Sequence, residues 1–182
     1  METESTITKD ASLQTVAFEP GELDWIEKSA VENLKQRVEC ADVLAKEAAT
    51  TLTVLLAGAG GSLAYGIKIA DGDFSVSVLI AVFVCIWLAI CAMLLVRKCL
   101  KIDAIALVYN EPKNHLLRLT SKTSFENWRK AELDGMQVRI NANILRNDKT
   151  AKSLNLVRTM ATATPAVALV ALAVTKLSGF GH

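Results

Sequence analysis

Three stretches of this chain carry no charged side chain, and the rest of the pattern is arranged around them. Ala48 to Ile67 (AATTLTVLLAGAGGSLAYGI) lies between Glu47 and Lys68. At about 1.5 Å per residue, its roughly 20 residues match a bilayer hydrocarbon core of about 30 Å. Phe74 to Val96, bracketed by Asp73 and Arg97, is more apolar still; an unpaired charge would be very costly there and none occurs. A third run, Thr159 to Thr175, is rich in Ala and Thr and interrupted by Pro165. Lys176 behind it can snorkel to an interface while Leu177 to Phe180 complete the crossing. The pattern predicts an all-α integral membrane protein with three transmembrane helices, spans at 48–69 and 74–96 and a third within 159–182, and long helical cytosolic extensions.

Between these runs the period is helical. Ile26, Ala30, Leu34, Val38, Ala41, Ala45 and Ala48 recur three or four apart, while Glu27, Lys28, Glu32, Lys35, Arg37, Glu39, Asp42 and Glu47 fill the other positions. No breaker intervenes, so one helix is predicted from about Glu22 to Ile69, the first part of a unit 22–97 that also holds the transmembrane hairpin. Residues 1–21, polar and aperiodic up to Pro20-Gly21, are predicted to form a disordered acidic tail. The second span is predicted to continue through KCLKIDAIALVY until Asn110-Glu111-Pro112, where the residue before proline is pushed out of the α region. After a loop through about Lys122, Thr123 and Glu126 have capping-box spacing, and no proline follows until Pro165. This predicts a helix that completes a basic cytosolic segment, 98–158, and feeds the third span; Gly135 weakens it by about 1 kcal/mol relative to alanine.

Charge adds direction. The chain has 182 residues and a net charge of +1, but residues 1–50 hold eleven acidic against five basic residues, a net −6, and residues 97–158 thirteen basic against six acidic, a net +7. The acidic N-terminus does not resemble a secretory signal. Arg97, Lys98 and Lys101 abut the second span, Lys149, Lys152 and Arg158 lead into the third, and the Asp71-Gly72-Asp73 turn holds only acids. The positive-inside rule then predicts a multi-pass membrane protein with a cytoplasmic N-terminus, a cytoplasmic middle segment and an external C-terminus at 159–182. The acidic helix is expected to pack on the basic one.

Little in the chain suggests catalysis. Cys40, Cys85, Cys91 and Cys99 form no C-x-x-C pair and have no histidine near them, and His115 and His182 stand alone. Neither a metal site nor a thiol relay is expected. Gly58-Ala59-Gly60-Gly61-Ser62 has leucine where a dinucleotide fingerprint needs its third glycine. In a transmembrane helix, Gly58, Gly61, Ser62 and Gly66 instead offer a surface of small residues for helix packing or oligomerisation. No span holds an internal Asp, Glu, His or Arg, which argues against a pump or ion-coupled carrier. A shared lumen would depend on hydroxyls such as Thr50, Thr51, Thr53, Ser62, Tyr65, Thr162 and Thr164. On the basic helix, Trp128, Glu132, Arg139, Asn143 and Arg146 fall near one face. Trp128, Arg139, Asn143 and Arg146 are the candidate ligand-binding residues, an aromatic plate, guanidinium forks and an amide suited to an anionic, aromatic ligand such as a nucleotide. The blander reading of the same face is a basic surface toward solvent or lipid headgroups that also pairs with the acidic helix. Nucleic acid is a poor fit, because acids dilute the basic residues.

The cytosolic helix VENLKQRVECADVLAKEAATTLTVLLAGAGGSLAYG, the tight turn, the second span ending in basic residues and the returning basic helix resemble the small bacterial membrane effectors of nucleotide-signalled antiphage systems, the SLATT and Pycsar transmembrane types. The likeness is one of layout over residues 25–158, together with the A-x-x-L-A-K-E-A lead-in to the first span. The third span departs from the simpler two-span members. The resemblance implies a non-enzymatic protein without a cofactor that senses a cyclic nucleotide or partner, forms a homo-oligomer and impairs the inner membrane. A membrane anchor that recruits a cytosolic partner protein through the acidic helix is the alternative. A phage holin is disfavoured by the long basic segment.

Overall fold

A computed structural model describes residues 19, 21–70, 76–101, 105–111, 113–114, 116 and 124–177. Among the described residues there are four long helices, α1 (Glu22–Ile69), α2 (Val76–Cys99), α3 (Phe125–Thr162) and α4 (Thr164–Leu177), and no strand. The acidic tail, apart from Glu19 and Gly21, and the Asp71-Gly72-Asp73 turn lie outside the described residues, as do Thr123, His115 and the C-terminal 178–182. The chain divides into two compact units. One draws on Met1–Val38 and Ile105–Asn143, the other on Glu39–Ala104 and Ile144–His182. They are called here the polar and the apolar unit.

Helix α1 has the predicted extent. Gly21 precedes it with φ +94°, a conformation that a side chain would strain, and its carbonyl accepts the Trp25 N–H at 3.1 Å. Glu22 turns back to accept the Glu19 N–H at 2.8 Å, reinforcing the first turn. Along the middle of α1 the buried positions fall seven apart, at Leu34, Ala41, Ala48 and Leu55, with Leu23 and Gly66 buried eleven residues beyond either end. Helix α3 repeats the spacing at Leu133, Ile140, Asn147 and Leu154, as does α2 at Ala81, Leu88 and Leu95. A seven-residue period is the mark of shallow, knobs-into-holes helix packing. Of the face predicted for α1, Ala45 turns out exposed; Leu44 takes its place against the core, and Leu23 extends the face at the N-terminal end.

In the polar unit, Leu23, Leu133 and Met136 make a small core flanked by Ile26, Ala30 and Val31. Arg129 joins α3 to α1. Its Nε and Nη2 donate to the two carboxylate oxygens of Glu27, each at 2.7 Å, and Nη2 also donates to Asp24. These two carboxylates raise the guanidinium pKa above its ordinary value. Here the expected pairing of acidic with basic helix is realised by a forked contact.

In the apolar unit, Ala48, Leu55, Leu88, Cys91, Ala92, Leu95, Leu154 and Val157 form the core. Helix α2 runs antiparallel to α1, since Gly58 meets Leu88 and Gly66 meets Ala81. It is also antiparallel to α3: the Trp87 indole donates to the Met160 carbonyl at 3.2 Å and the Cys99 thiol to that of Thr150 at 3.7 Å. Arg158 reaches across to α1, with Nη1 2.9 Å from Glu47 Oε2 and Nε donating to Thr51 Oγ1 at 3.3 Å.

Two sequence expectations need correction. Helix α2 stops at Cys99 instead of running to Asn110, and Ile105–Glu111 is not helical; the reason lies in the site below. The first turn of α3 is capped by Ser124, whose Oγ accepts the Asn127 N–H at 3.3 Å. Gly135 leaves α3 unbroken. Pro165 does interrupt the third apolar run: α3 and α4 meet at a 45° bend. Proline has no N–H to give the Ala161 carbonyl, and the Thr164 hydroxyl donates there instead, at 2.6 Å. The Ala163 N–H is shared between the Thr159 and Met160 carbonyls. Two helices, α1 and α2, are long and apolar enough to cross a membrane, and the bent α3–α4 pair makes a third if taken as one span.

Candidate functional site

The candidate ligand face of α3 meets a segment of its own chain. Asn143, only 3% exposed, faces inward one turn beyond Ile140. Its side-chain amide answers both backbone groups of Ala106: Nδ2 donates to the Ala106 carbonyl at 3.1 Å, and Oδ1 accepts the Ala106 N–H at 3.2 Å. One turn earlier, Arg139 Nη1 donates to the carbonyls of Leu107 and Val108, both at 3.4 Å, Nε to the Gly135 carbonyl at 3.2 Å, and Nη2 to Glu132 Oε1. The other oxygen of Glu132 accepts from Asn110 Nδ2 at 2.9 Å, and Asn110 Oδ1 accepts from Asn114 Nδ2 at 2.6 Å. Residues 105–111 are thus strapped along α3 by side chains. This explains why helix α2 does not continue: the groups that would close further helical turns are satisfied by Asn143 and Arg139.

The structure divides the predicted ligand set. Arg139, Asn143 and Glu132 come together, but on the strap. Trp128 is half-buried and stacks on Phe125, with centroids 6.2 Å apart and an 11° interplanar angle. Arg146 is half-buried and belongs to the apolar unit. The arrangement is chemically a clamp for peptide backbone. Its guanidinium is neutralised by Glu132, and the two side chains are only 17% and 13% exposed. No group of three or more His, Cys, Asp or Glu residues able to hold a metal occurs among the described residues. The partner of this face was missed in sequence, yet a signal was present: Asn143 and Asn147 stand on the same period as Leu133, Ile140 and Leu154, and a buried amide requires an internal partner.

The first-span residues are also divided. A Cβ on Gly58 would come 3.0 Å from Leu88, and one on Gly66 3.3 Å from Ala81, so both serve close packing on α2. Gly61, like Gly60, has nothing within 4 Å. Ser62 is half-buried and donates to its own helix, at the Ala59 carbonyl, 2.9 Å away. The same holds for the hydroxyls considered for a lumen. Thr50, Thr51 and Thr53 donate to carbonyls four residues back, and Thr162 and Thr164 to carbonyls three back. Tyr65 is 59% exposed.

No protein family model, curated protein or solved structure matches this chain.

Proposed function

We propose that the chain is a non-enzymatic membrane effector, an integral membrane protein that assembles with copies of itself and takes its signal through the polar unit. Helix α1 is about 72 Å long at 1.5 Å per residue, more than twice a hydrocarbon core of about 30 Å. The bilayer takes its charge-free half, together with α2 and the bent α3–α4 pair, and the basic flanks set the N-terminus in the cytoplasm. The observation that carries the assembly reading is the divided use of the glycines. Gly58 and Gly66 are engaged by α2, whereas Gly60 and Gly61 are open on the same helix. In lipid, burial gives helices no reason to associate, and close backbone approach must supply the attraction. The SLATT and Pycsar layout adds a cyclic nucleotide as the signal and membrane impairment in antiphage defence as the output. Since Arg139 and Asn143 hold residues 105–111, a nucleotide acts on this face by displacing that segment.

Replacing Gly61 with leucine tests the reading, because a Cβ at this position has nothing of the same chain within 4 Å beyond its own helix. The variant should stay in the membrane fraction and lose both the crosslinked oligomer ladder and the depolarisation caused by the wild type. An unchanged ladder would exclude this face as the contact.

The adaptor reading is favoured by one observation of its own. Trp25 is 71% exposed on α1 beside Lys28, Ser29, Glu32 and Gln36, and an exposed tryptophan among polar residues is a frequent anchor for a partner protein. Capture of a cytosolic protein that is lost with Trp25→Ala, with depolarisation absent, would establish it.

A further inference from the structure

The outer face of α3 carries a second apolar stripe. Leu133, Ile140, Asn147 and Leu154 turn inward. On the far side of the same helix, Trp128, Ala131, Gly135, Val138, Ala142 and Leu145 follow one another at steps of three, four, three, four and three residues. This alternation is the seam of a helix that pairs with another helix. Val138 is 68% and Leu145 71% exposed, Ala131 and Ala142 are exposed, and Trp128 and Gly135 are half-buried. A Cβ on Gly135 would come within 4.0 Å only of Arg139, one turn along its own helix.

Lipid does not account for the stripe. The next two positions of the same seam are Lys149 and Lys152, both exposed, and they stand between it and the charge-free run that begins at Thr159. The stripe is thus on the water side of the charged flank, where aliphatic side chains aligned on one helix face mark a surface that another protein covers. Charge identifies the cover. Asp134, Asn141 and Asp148 line one flank of the stripe, and Glu132, Arg139 and Arg146 the other. Glu132 and Arg139 pair with each other, so the second flank is net positive through Arg146. Neither Arg146 nor Asp134 has an ion pair among the described residues. Two parallel copies bring the acidic flank of each against the basic flank of the other, whereas antiparallel copies set each flank on itself, with Asp134 opposite Asp148. Copies inserted in one membrane with one orientation are parallel as well.

We infer that the outer stripe of α3 is a contact between two copies of this chain, parallel and in register, outside the bilayer. Val138 and Leu145 each meet their own counterpart, and Gly135 and Ala142 between them let the two backbones approach closely. The inference rests on the reading that copies assemble in one membrane, and it adds a contact separate from Gly60 and Gly61.

The test uses the full chain in native membranes, with the exposed Cys40 replaced by serine, oxidised gently and read as disulfide dimer on a non-reducing gel. Val138→Cys should give at least about tenfold more dimer than Lys35→Cys, an exposed position on α1, because a contact holds two thiols at high effective concentration. Adding Leu145→Glu, at a position 71% exposed in the single chain, should return Val138→Cys to that baseline. Dimer no greater than the Lys35→Cys baseline, or unaffected by Leu145→Glu, would overturn the α3 contact. So would a mixed dimer of Val138→Cys with Ala142→Cys that exceeds the Val138→Cys dimer, the mark of antiparallel copies. The crosslinked oligomer ladder is run beside it. A baseline Val138→Cys signal with the ladder present overturns the α3 contact and leaves the assembly reading standing, whereas absence of both overturns the two together.

Discussion

The polar and apolar units differ in how much they rely on side chains that bridge two elements. In the polar unit side chains reach from one element to another, Arg129 to Glu27 and Asp24, Asn143 to Ala106, Arg139 to Leu107 and Val108. In the apolar unit the hydroxyls turn back onto their own helices, as Thr53 does to Ala49 and Thr175 to Ala171. Its helices are joined mainly by packing among Leu55, Leu88, Leu95 and Leu154. A segment whose helices satisfy themselves tolerates lipid around it, whereas one held by cross-element polar contacts is stable where water can hydrate what is left over. The contrast follows from composition: α2 has no charge before Arg97, while the polar unit's part of α3 places a charged or amide side chain on every turn from Phe125 to Asn143.

The contrast can be broken by substitution. The largest effect is expected in the apolar core. Leu95 is fully buried, and Leu95→Ala should cost about 2–5 kcal/mol through the cavity it leaves. Denaturation of the reconstituted protein, followed by helix content, measures it; a loss below about 1 kcal/mol would mean that packing does not hold this unit.

Next is the clamp. Asn143→Leu leaves the Ala106 N–H and carbonyl without their partner, at an expected cost of about 2–4 kcal/mol. Hydrogen exchange at Ala106 should accelerate strongly while amides around Leu95 stay protected. Uniform acceleration in both would show that the two units do not open independently.

The smallest effect sharpens the comparison from the apolar side. Trp87→Phe removes the one donor that α2 sends to the Met160 carbonyl, while keeping most of the ring. Here the expected loss is about 0.5–1 kcal/mol. A loss as large as that of Asn143→Leu would mean that cross-element polar contacts matter equally in both units.

Much of the architecture was legible without coordinates, and for physical reasons that are local. The period of Leu34, Ala41 and Ala48 and the absence of breakers determined α1. Charge-free runs determined which helices are apolar enough to cross a membrane, since no fold can hide an unpaired charge in lipid cheaply. Pro165 determined the bend, because a missing N–H is a property of the residue itself. What the tertiary structure alone decided depends on partners distant in the chain. KCLKIDAIALVY has a helical pattern, yet α2 ends at Cys99 because Asn143 and Arg139, more than thirty residues on, bind the backbone of 106–108. Trp128, Arg139, Asn143 and Arg146 share a helical period, but only the fold determined that two of them hold the chain itself. Gly58, Gly61 and Gly66 are chemically identical; which of them meets α2 was set by the register of two antiparallel helices, and periodicity along one helix carries no information about the neighbour across from it.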